Sequence, residues 1–438
     1  MADAARRLTA LAEEVLGAPL PLRIRAWDRS EYGPPGTPAA PVLVIRRRRA
    51  LRRLLWKPGE LGLARAWVAG DIDVEGDLYE ALDLLAGSLW ERGEDTPRSG
   101  LAALLAAVRD PRLRAAGGEL VKLAGPGLPP RPPREEARRT SGPLHTLRRD
   151  KQSISHHYDV GNTFYERVLG PSMVYSCAYW ESPQSTLEEA QRAKLDLVCR
   201  KLDLQPGQRL LDVGCGWGSM VLHAAREYGV SAVGITLSEE QAAYARKRIA
   251  EAGLADRIEI RVQDYRETSD GPFDAISSIG MAEHVGSARY AEYAADVYAL
   301  LKPGGRLLNH QIARRPLKDE EAYEVDEFID RYVFPDGELA PVGRTVAQLE
   351  EAGFEVRDVE SLREHYALTL RQWVANLQKH WAEAVNLTSA GRARVWRLYM
   401  AASALSFERN RIGVNQVLAV RTPGTGTAGM PLRARDWR

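Results

Sequence analysis

Leu210–Ser219 reads LLDVGCGWGS. A short apolar run leads into Gly214, Gly216 and Gly218, and the residues from about Ser219 to Tyr228 then follow a helical pattern. A strand that ends in a glycine turn and opens a helix lets a ligand approach the backbone, because glycine has no Cβ. The G-x-G-x-G spacing departs from the G-x-G-x-x-G of dinucleotide sites. Taken alone, the turn fits nucleotide-type ligands in general.

Outward from this stretch the chain alternates strand and helix. SPQSTLEEAQRAKLDLVCRKLDL (182–204) is a helix, with Ser185 and Glu188 spaced as a capping box. QRLLDVG, VSAVGIT, IEIRVQD, FDAISSI and GRLLNHQIA read as strands. Ser238 and Gln241 form a second capping-box pattern before EEQAAYARKRIAEAG, and ARYAEYAADVYALL is a further helix. This alternation predicts a doubly wound α/β fold with a parallel sheet, whose ligand sits at the carboxyl ends of the strands.

Four features beside the turn, namely Asp212 before it, GITLS, QDY at Gln263–Tyr265 and LLKPGGRLL, together resemble the class I S-adenosylmethionine (SAM) methyltransferases, a Rossmann-like fold. The competing reading is another nucleotide-binding sheet, such as a NAD(P) enzyme. Many methyltransferases end the second strand with an acid for the ribose hydroxyls. Thr236 stands there instead, so Thr236 and Gln241 are expected to serve the ribose.

A second stretch, ISHHYDVGNTFYERVLGPSMVYSCAYW (154–180), is dense in aromatic residues and histidine. Core packing explains such a segment when it occurs alone. Here it occurs with MAEHVG (281–286), NHQIA (309–313) and REHYALTLRQW (363–373). The set resembles the cyclopropane-fatty-acyl-phospholipid synthase family over almost the whole chain. GELGLARAWVAGDIDVEGDLYEAL (59–82) extends the likeness to the long, phospholipid-acting members. The front part reads as a smaller mixed α/β domain at 1–124, and the dense Pro and Gly of 125–148 read as a Pro/Arg-rich linker before a catalytic domain at 149–438; the resemblance implies lipid binding and dimerisation for the first.

That family methylates the cis double bond of an acyl chain within a phospholipid. An alkene must attack the sulfonium methyl directly, leaving a carbocation that water would trap and that aromatic faces stabilise. The resemblance implies bound bicarbonate as the base, in a pocket of Cys177, Glu283, His310, Ile312 and Tyr366. Cys177 and Ile312 would present backbone amides, Glu283 would orient the anion, and His310 and Tyr366 would donate hydrogen bonds. Each has a plainer reading: a small buried hydrophobe for Cys177, a satisfied strand-end histidine for His310, a helix N-terminal carboxylate for Glu283. For SAM the resemblance implies Tyr175 and Ser176 at the methionine end and Gly214, Cys215 and Gly216 along the loop. Thr236, Leu237 and Gln241 would flank the ribose, Gln263 and Asp264 would meet the adenine, and Tyr158 would close the pocket.

Ala282 stands where cyclopropane synthases commonly carry Phe. LPLRIRAWDRSEYGPPGTPAAPVLVI and SFERNRIGVNQVLAVRTP look more like an actinobacterial subgroup similar to 10-methylene fatty acid synthases of the tuberculostearic acid pathway. The expectation is therefore a 10-methylene-branched product from an oleoyl chain, saturated later by a separate reductase, with cyclopropanation as the alternative.

Bulk properties bound the rest. The 438 residues suit two domains. The net charge of +1 argues against a general polyanion binder. Residues 1–150 hold 25 Lys and Arg against 20 Asp and Glu, and the remainder reverses the balance. Arg46, Arg47, Arg48, Arg49, Arg52, Arg53 and Lys57 form the densest basic run, joined in the linker by Arg131, Arg134, Arg138 and Arg139. This reads as a dock for anionic lipid or as a solvated helix face; no nucleic-acid module surrounds it. Trp373 and Trp381 would line an acyl entrance or pack beside it. Cys177, Cys199 and Cys215 fit no zinc or redox spacing, and no metal site is expected. MADAARRLTALAEEVLG is an amphipathic helix with acids rather than a signal peptide, and no apolar run is long enough to span a bilayer. The expected place is cytoplasmic and peripheral on the inner membrane face, as a homodimer by family likeness.

Overall fold

The structure is a computed structural model that describes residues 3–33, 40–90, 111–137, 149, 160–320, 323–432 and 435. The chain divides into two compact units. One gathers Met1–Ala137, Arg331–Val333 and Ser389–Leu405; the other gathers Arg138–Asp330, Phe334–Thr388 and Ser406–Arg438.

The first unit holds a four-stranded sheet of β1 (Arg23–Arg25), β2 (Glu31–Tyr32), β3 (Val42–Ile45) and β4 (Ile72–Glu75), in the order β2-β1-β3-β4. Its core joins Leu8 and Leu11 of the helix Ala4–Leu16 to Leu22, Ile24, Leu51 and Leu123. Residues 125–137, the first part of the expected linker, are tied by specific contacts. Arg53 donates to the Arg131 carbonyl at 2.9 Å, and Arg65 pairs with Glu136 at 2.6 Å, so this stretch packs on the front unit. Residues 138–148 lie outside the described set. The basic run is also partly turned inward: Arg49 and Arg53 pair with buried Asp71, and Arg46 pairs with Asp73.

The second unit carries β5 (Arg209–Val213), β6 (Ser231–Thr236), β7 (Ile258–Val262), β8 (Phe273–Ile279), β9 (Leu301–Arg314), β10 (Glu355–Ser361) and β11 (Ile412–Val420). The order is β10-β11-β9-β8-β5-β6-β7. β5 to β9 are parallel as expected, whereas β11 lies antiparallel between β9 and β10. Both faces are covered, which is why β5 buries Leu210, Leu211 and Val213 in one run. Leu210 and Leu308 face a core shared with Leu195 and Val198 of the helix Leu187–Leu202. Leu211 and Leu307 face Tyr293 and Val297 of the helix Tyr290–Leu300. Among the described residues, no helix is long and apolar enough to cross a membrane.

The capping box of Leu187–Leu202 is one residue later than its spacing suggested. Thr186 Oγ1 accepts from the Glu189 amide, while Glu189 Oε2 accepts from the Thr186 amide. Ser185 instead closes a turn onto the Ser182 carbonyl. Thr186→Ala should therefore lower the unfolding free energy by about 1 kcal/mol in urea titrations. Ser185→Ala should leave the midpoint nearly unchanged.

Candidate active site

The glycine turn is tied down from one side and open on the other. The amides of Gly214 and Cys215 donate to the Ile235 carbonyl at 3.0 and 2.9 Å, which sets the turn against the end of β6. Gly214 has φ +78°, and a Cβ there would lie 2.5 Å from Met281 Cγ. Gly216 has φ +53°, and a Cβ there would meet nothing within 4 Å, so open space fronts this residue. Cys215 is buried, and burial pushes its thiol well up, so it serves the loop through its backbone.

At the end of β6, Thr236 Oγ1 donates to Gln241 Oε1 at 3.0 Å and accepts from the Ser238 amide at 3.2 Å. The two residues expected at the ribose thus brace each other, and Leu237 is half-buried beside them. The Gln263 amide donates to the Thr236 carbonyl at 3.0 Å, bringing the ends of β6 and β7 together. Asp264, expected at the adenine, is paired with Arg266. Both its oxygens are held by the Arg266 guanidinium at 2.7 and 2.8 Å. Tyr158 lies outside the described residues.

The segment Met173–Trp180 is sewn to the helix Arg363–Lys379. The Ala178 amide and Trp180 Nε1 both donate to Thr369 Oγ1, at 3.2 and 3.1 Å, and the Trp180 amide donates to His365 Nδ1 at 2.9 Å. Aromatic rings line this seam. Tyr175 lies 5.7 Å from Tyr165 and 5.3 Å from Trp373, while Tyr366 lies 6.0 Å from Trp373 and 4.8 Å from Phe407, between ring centroids. Trp373 is fully buried, so it packs the seam, and among the described residues its Nε1 has no hydrogen-bond partner. Trp381 is half-buried at the start of the helix Trp381–Leu387.

A short series of contacts gathers the five residues expected to hold the base. Cys177 Sγ donates to the Leu362 carbonyl at 3.6 Å. The Tyr366 amide donates to the same carbonyl at 3.1 Å, and the Leu362 amide donates to Val414 at 2.9 Å. Val414 pairs across the sheet with Ile312, whose amide donates to Glu283 Oε1 at 2.8 Å. His310 lies two residues earlier on β9 and accepts from the Gly280 amide at 2.8 Å through its carbonyl. The Ile312 amide, expected to face an anion, is thus engaged by Glu283.

The electrostatics follow from burial. The Glu283 carboxyl is enclosed, which pushes it up to about 7 against the pull of the Ile312 amide, and among the described residues Oε2 has no partner. His310 is buried, and among the described residues neither ring nitrogen has a partner. Burial, with the charges of Lys194 and Lys201 nearby, holds its imidazole well below the usual range and therefore neutral. The Cys177 thiol is pushed well up by burial and is no nucleophile. Among the described residues no cluster could hold a metal ion.

Sequence reading missed Lys194. Its ammonium is buried and donates to Ser176 Oγ at 3.0 Å. Burial pushes it down to about 8. Burial likewise pushes Asp212, at the end of β5, up to about 6, opposed by the Ser277 hydroxyl at 2.7 Å and by Lys194. The signal was the position of Lys194 on the apolar stripe of its helix, four residues from both Ala190 and Val198.

The chain matches the mycolic acid cyclopropane synthetase family over residues 145–417. It is 44% identical to a probable fatty acid methyltransferase of Mycobacterium tuberculosis, over 94% of each chain. It is 41% identical to the cyclopropane-fatty-acyl-phospholipid synthase of Escherichia coli K12, over 60% of this chain and 66% of that one. A crystal structure of mycolic acid cyclopropane synthase CmaA1 complexed with SAH and CTAB superposes with a TM-score of 0.59 and 35% identity, covering 62% of this chain and 98% of that one.

A carboxyl that titrates near 7 when folded, against an ordinary 4.5, takes up protons on folding. Its protonated form contributes stability below about 4.5, and that contribution is lost as pH rises through about 7. Glu283→Gln should therefore melt close to wild type at pH 5 and above wild type at pH 8. Differential scanning fluorimetry across that range checks the sign.

Proposed function

The chain belongs to the mycolic acid cyclopropane synthetase family, and from that premise we propose that it methylates the cis double bond of an oleoyl chain in a membrane phospholipid, giving a 10-methylene-branched acyl chain. It is a SAM-dependent methyltransferase, and SAM is its cosubstrate. The open face of Gly216 at the carboxyl end of β5 suits that ligand.

The observation that carries the reading is the Glu283 carboxyl held by the Ile312 amide on the strand that also carries His310, a strand joined through Val414 and Leu362 to the helix of Tyr366. The alkene π electrons form the bond to the methyl carbon while the S–CH3 pair leaves with sulfur. A cation is left on the neighbouring carbon, where aromatic faces favour it and exclusion of water keeps it from becoming an alcohol. A proton must then leave the new methyl. If the C–H pair closes onto the cation, a cyclopropane forms. If a hydride first shifts from the methylated carbon to the cation, the same pair forms an exocyclic C=CH2.

Bicarbonate, if bound here, supplies a base small enough to reach that proton. Among the described residues Glu283 Oε2 and the His310 nitrogens have no partner, which suits such an anion; Tyr366 and Cys177 would complete its pocket. Glu283 near 7 would share a proton with the anion, while His310 would stay a neutral donor. The engaged Ile312 amide would orient Glu283.

The preference for methylene over ring rests on the subgroup likeness of the sequence and on Ala282. Ala282 is buried with Val285 and Tyr290 behind Glu283, where a Phe would fill that packing differently. The reading also takes in a peripheral place on the inner membrane face, with exposed Arg47 and Trp56 toward anionic lipid, a homodimer, and a separate reductase for the product.

The test is NMR of fatty acid methyl esters recovered after incubating the protein with SAM, bicarbonate and oleoyl phospholipid vesicles. Vinylidene protons are expected. High-field cyclopropyl protons would move the assignment to a cyclopropane synthase, and neither signal would favour a soluble acceptor. In the same assay, Glu283→Gln should bind SAH nearly as wild type and lose at least about a hundredfold in turnover. Near-normal turnover would remove Glu283 from the mechanism.

A further inference from the structure

Lys194 has no part in the chemistry above, yet it is among the largest fully buried side chains of the molecule. An ammonium withdrawn from water is costly unless its surroundings hold it. Its hydrogen bond goes to Ser176 Oγ at 3.0 Å, and among the described residues no carboxylate comes within ion-pair distance. Gln191, one turn earlier on the helix, is also buried and grips the same stretch of chain. Its Nε2 donates to the carbonyls of Leu169 and Val174 at 3.1 and 3.4 Å, and its Oε1 accepts from the Ser172 hydroxyl. The stretch is held from its other side as well. Ser219, first residue of the helix that follows the glycine turn, donates to the Met173 carbonyl at 3.4 Å, and Arg248 donates to the Ser172 carbonyl at 3.2 Å. The stretch Leu169–Val174 is therefore gripped by Gln191, Ser219 and Arg248, and Lys194 holds Ser176 in the Tyr175–Cys177 turn that follows it.

We propose that Lys194 is a positioning residue for SAM: its ammonium fixes Ser176, and through it the turn that meets the methionine end of the cosubstrate. This rests on the reading above, in which Tyr175 and Ser176 face that end. The groups facing the ammonium are Ser176 and Cys177 from the turn, Asp212 from β5, His310 from β9 and Cys199 from its own helix. Asp212 favours the charged form, and burial opposes it, so the charge is present below about 8 and lost above. The grip on Ser176 should weaken over the same range.

The probe is SAH, titrated calorimetrically into wild type, Lys194→Met, Ser176→Ala and the double variant. A hydrogen bond to a charged group is expected to make each single variant bind roughly tenfold more weakly at pH 7. The double variant should bind no more weakly than the worse single one, because both remove the same contact. Wild-type affinity should fall as pH rises through about 8, and this limb should be missing from Ser176→Ala. Binding by Lys194→Met within twofold of wild type, or losses that add in the double variant, would overturn the proposal. Should Lys194→Met fail to fold, a Ser176→Ala profile that keeps the wild-type limb overturns it equally, and one that lacks the limb supports it. A wild-type chain that does not bind SAH would instead remove the cosubstrate reading, and this inference with it.

Discussion

A carboxyl group cannot sit in an apolar enclosure unless something holds it, and the hydrogen bond from the Ile312 amide to Glu283 is what holds this one. It fixes the short helix Ala282–Val285 against β9, which sets the position of His310 two residues away. β9 in turn depends on β11, and Val414 of β11 anchors Leu362 at the start of the helix that carries Tyr366. Cys177 closes the series on the Leu362 carbonyl. That one hydrogen bond thus joins Glu283 to the strand from which the other four residues are reached.

The parallel half of the sheet was legible because its strands are short apolar runs separated by helices of ordinary length. β10 and β11 were not read as strands. They break the strand–helix repeat, and their pairing joins β9 to a segment about a hundred residues later. The capping box slipped by one because Ser185 and Thr186 are adjacent hydroxyl residues, each with a glutamate three positions on. Only the backbone conformation chooses between them.

The site was legible where local sequence dictates it. The glycine turn, the aromatic stretch and MAEHVG each carried their own signal. What remained hidden depends on long-range partners. The Ile312 amide reads as free until Glu283 is seen to occupy it. Asp264 reads as available until Arg266 is seen to hold both its oxygens. Lys194 reads as one more solvated lysine on a charged helix until the sheet is laid beneath it.

The front unit is assembled from three separated stretches of chain. Arg394, from the last of them, donates to the carbonyls of Trp67 and Ile72, both at 2.6 Å, and to the Asp73 carboxylate at 3.1 Å. The Trp67 indole donates back to the Arg394 carbonyl at 2.9 Å. On a ribosome these partners emerge far apart in time. Residues 1–137 leave the exit tunnel well before Ser389–Leu405 has been made. The first unit to be synthesised is therefore among the last to be completed. During that interval its incomplete surface is open to chaperones and to misassembly with neighbouring nascent chains.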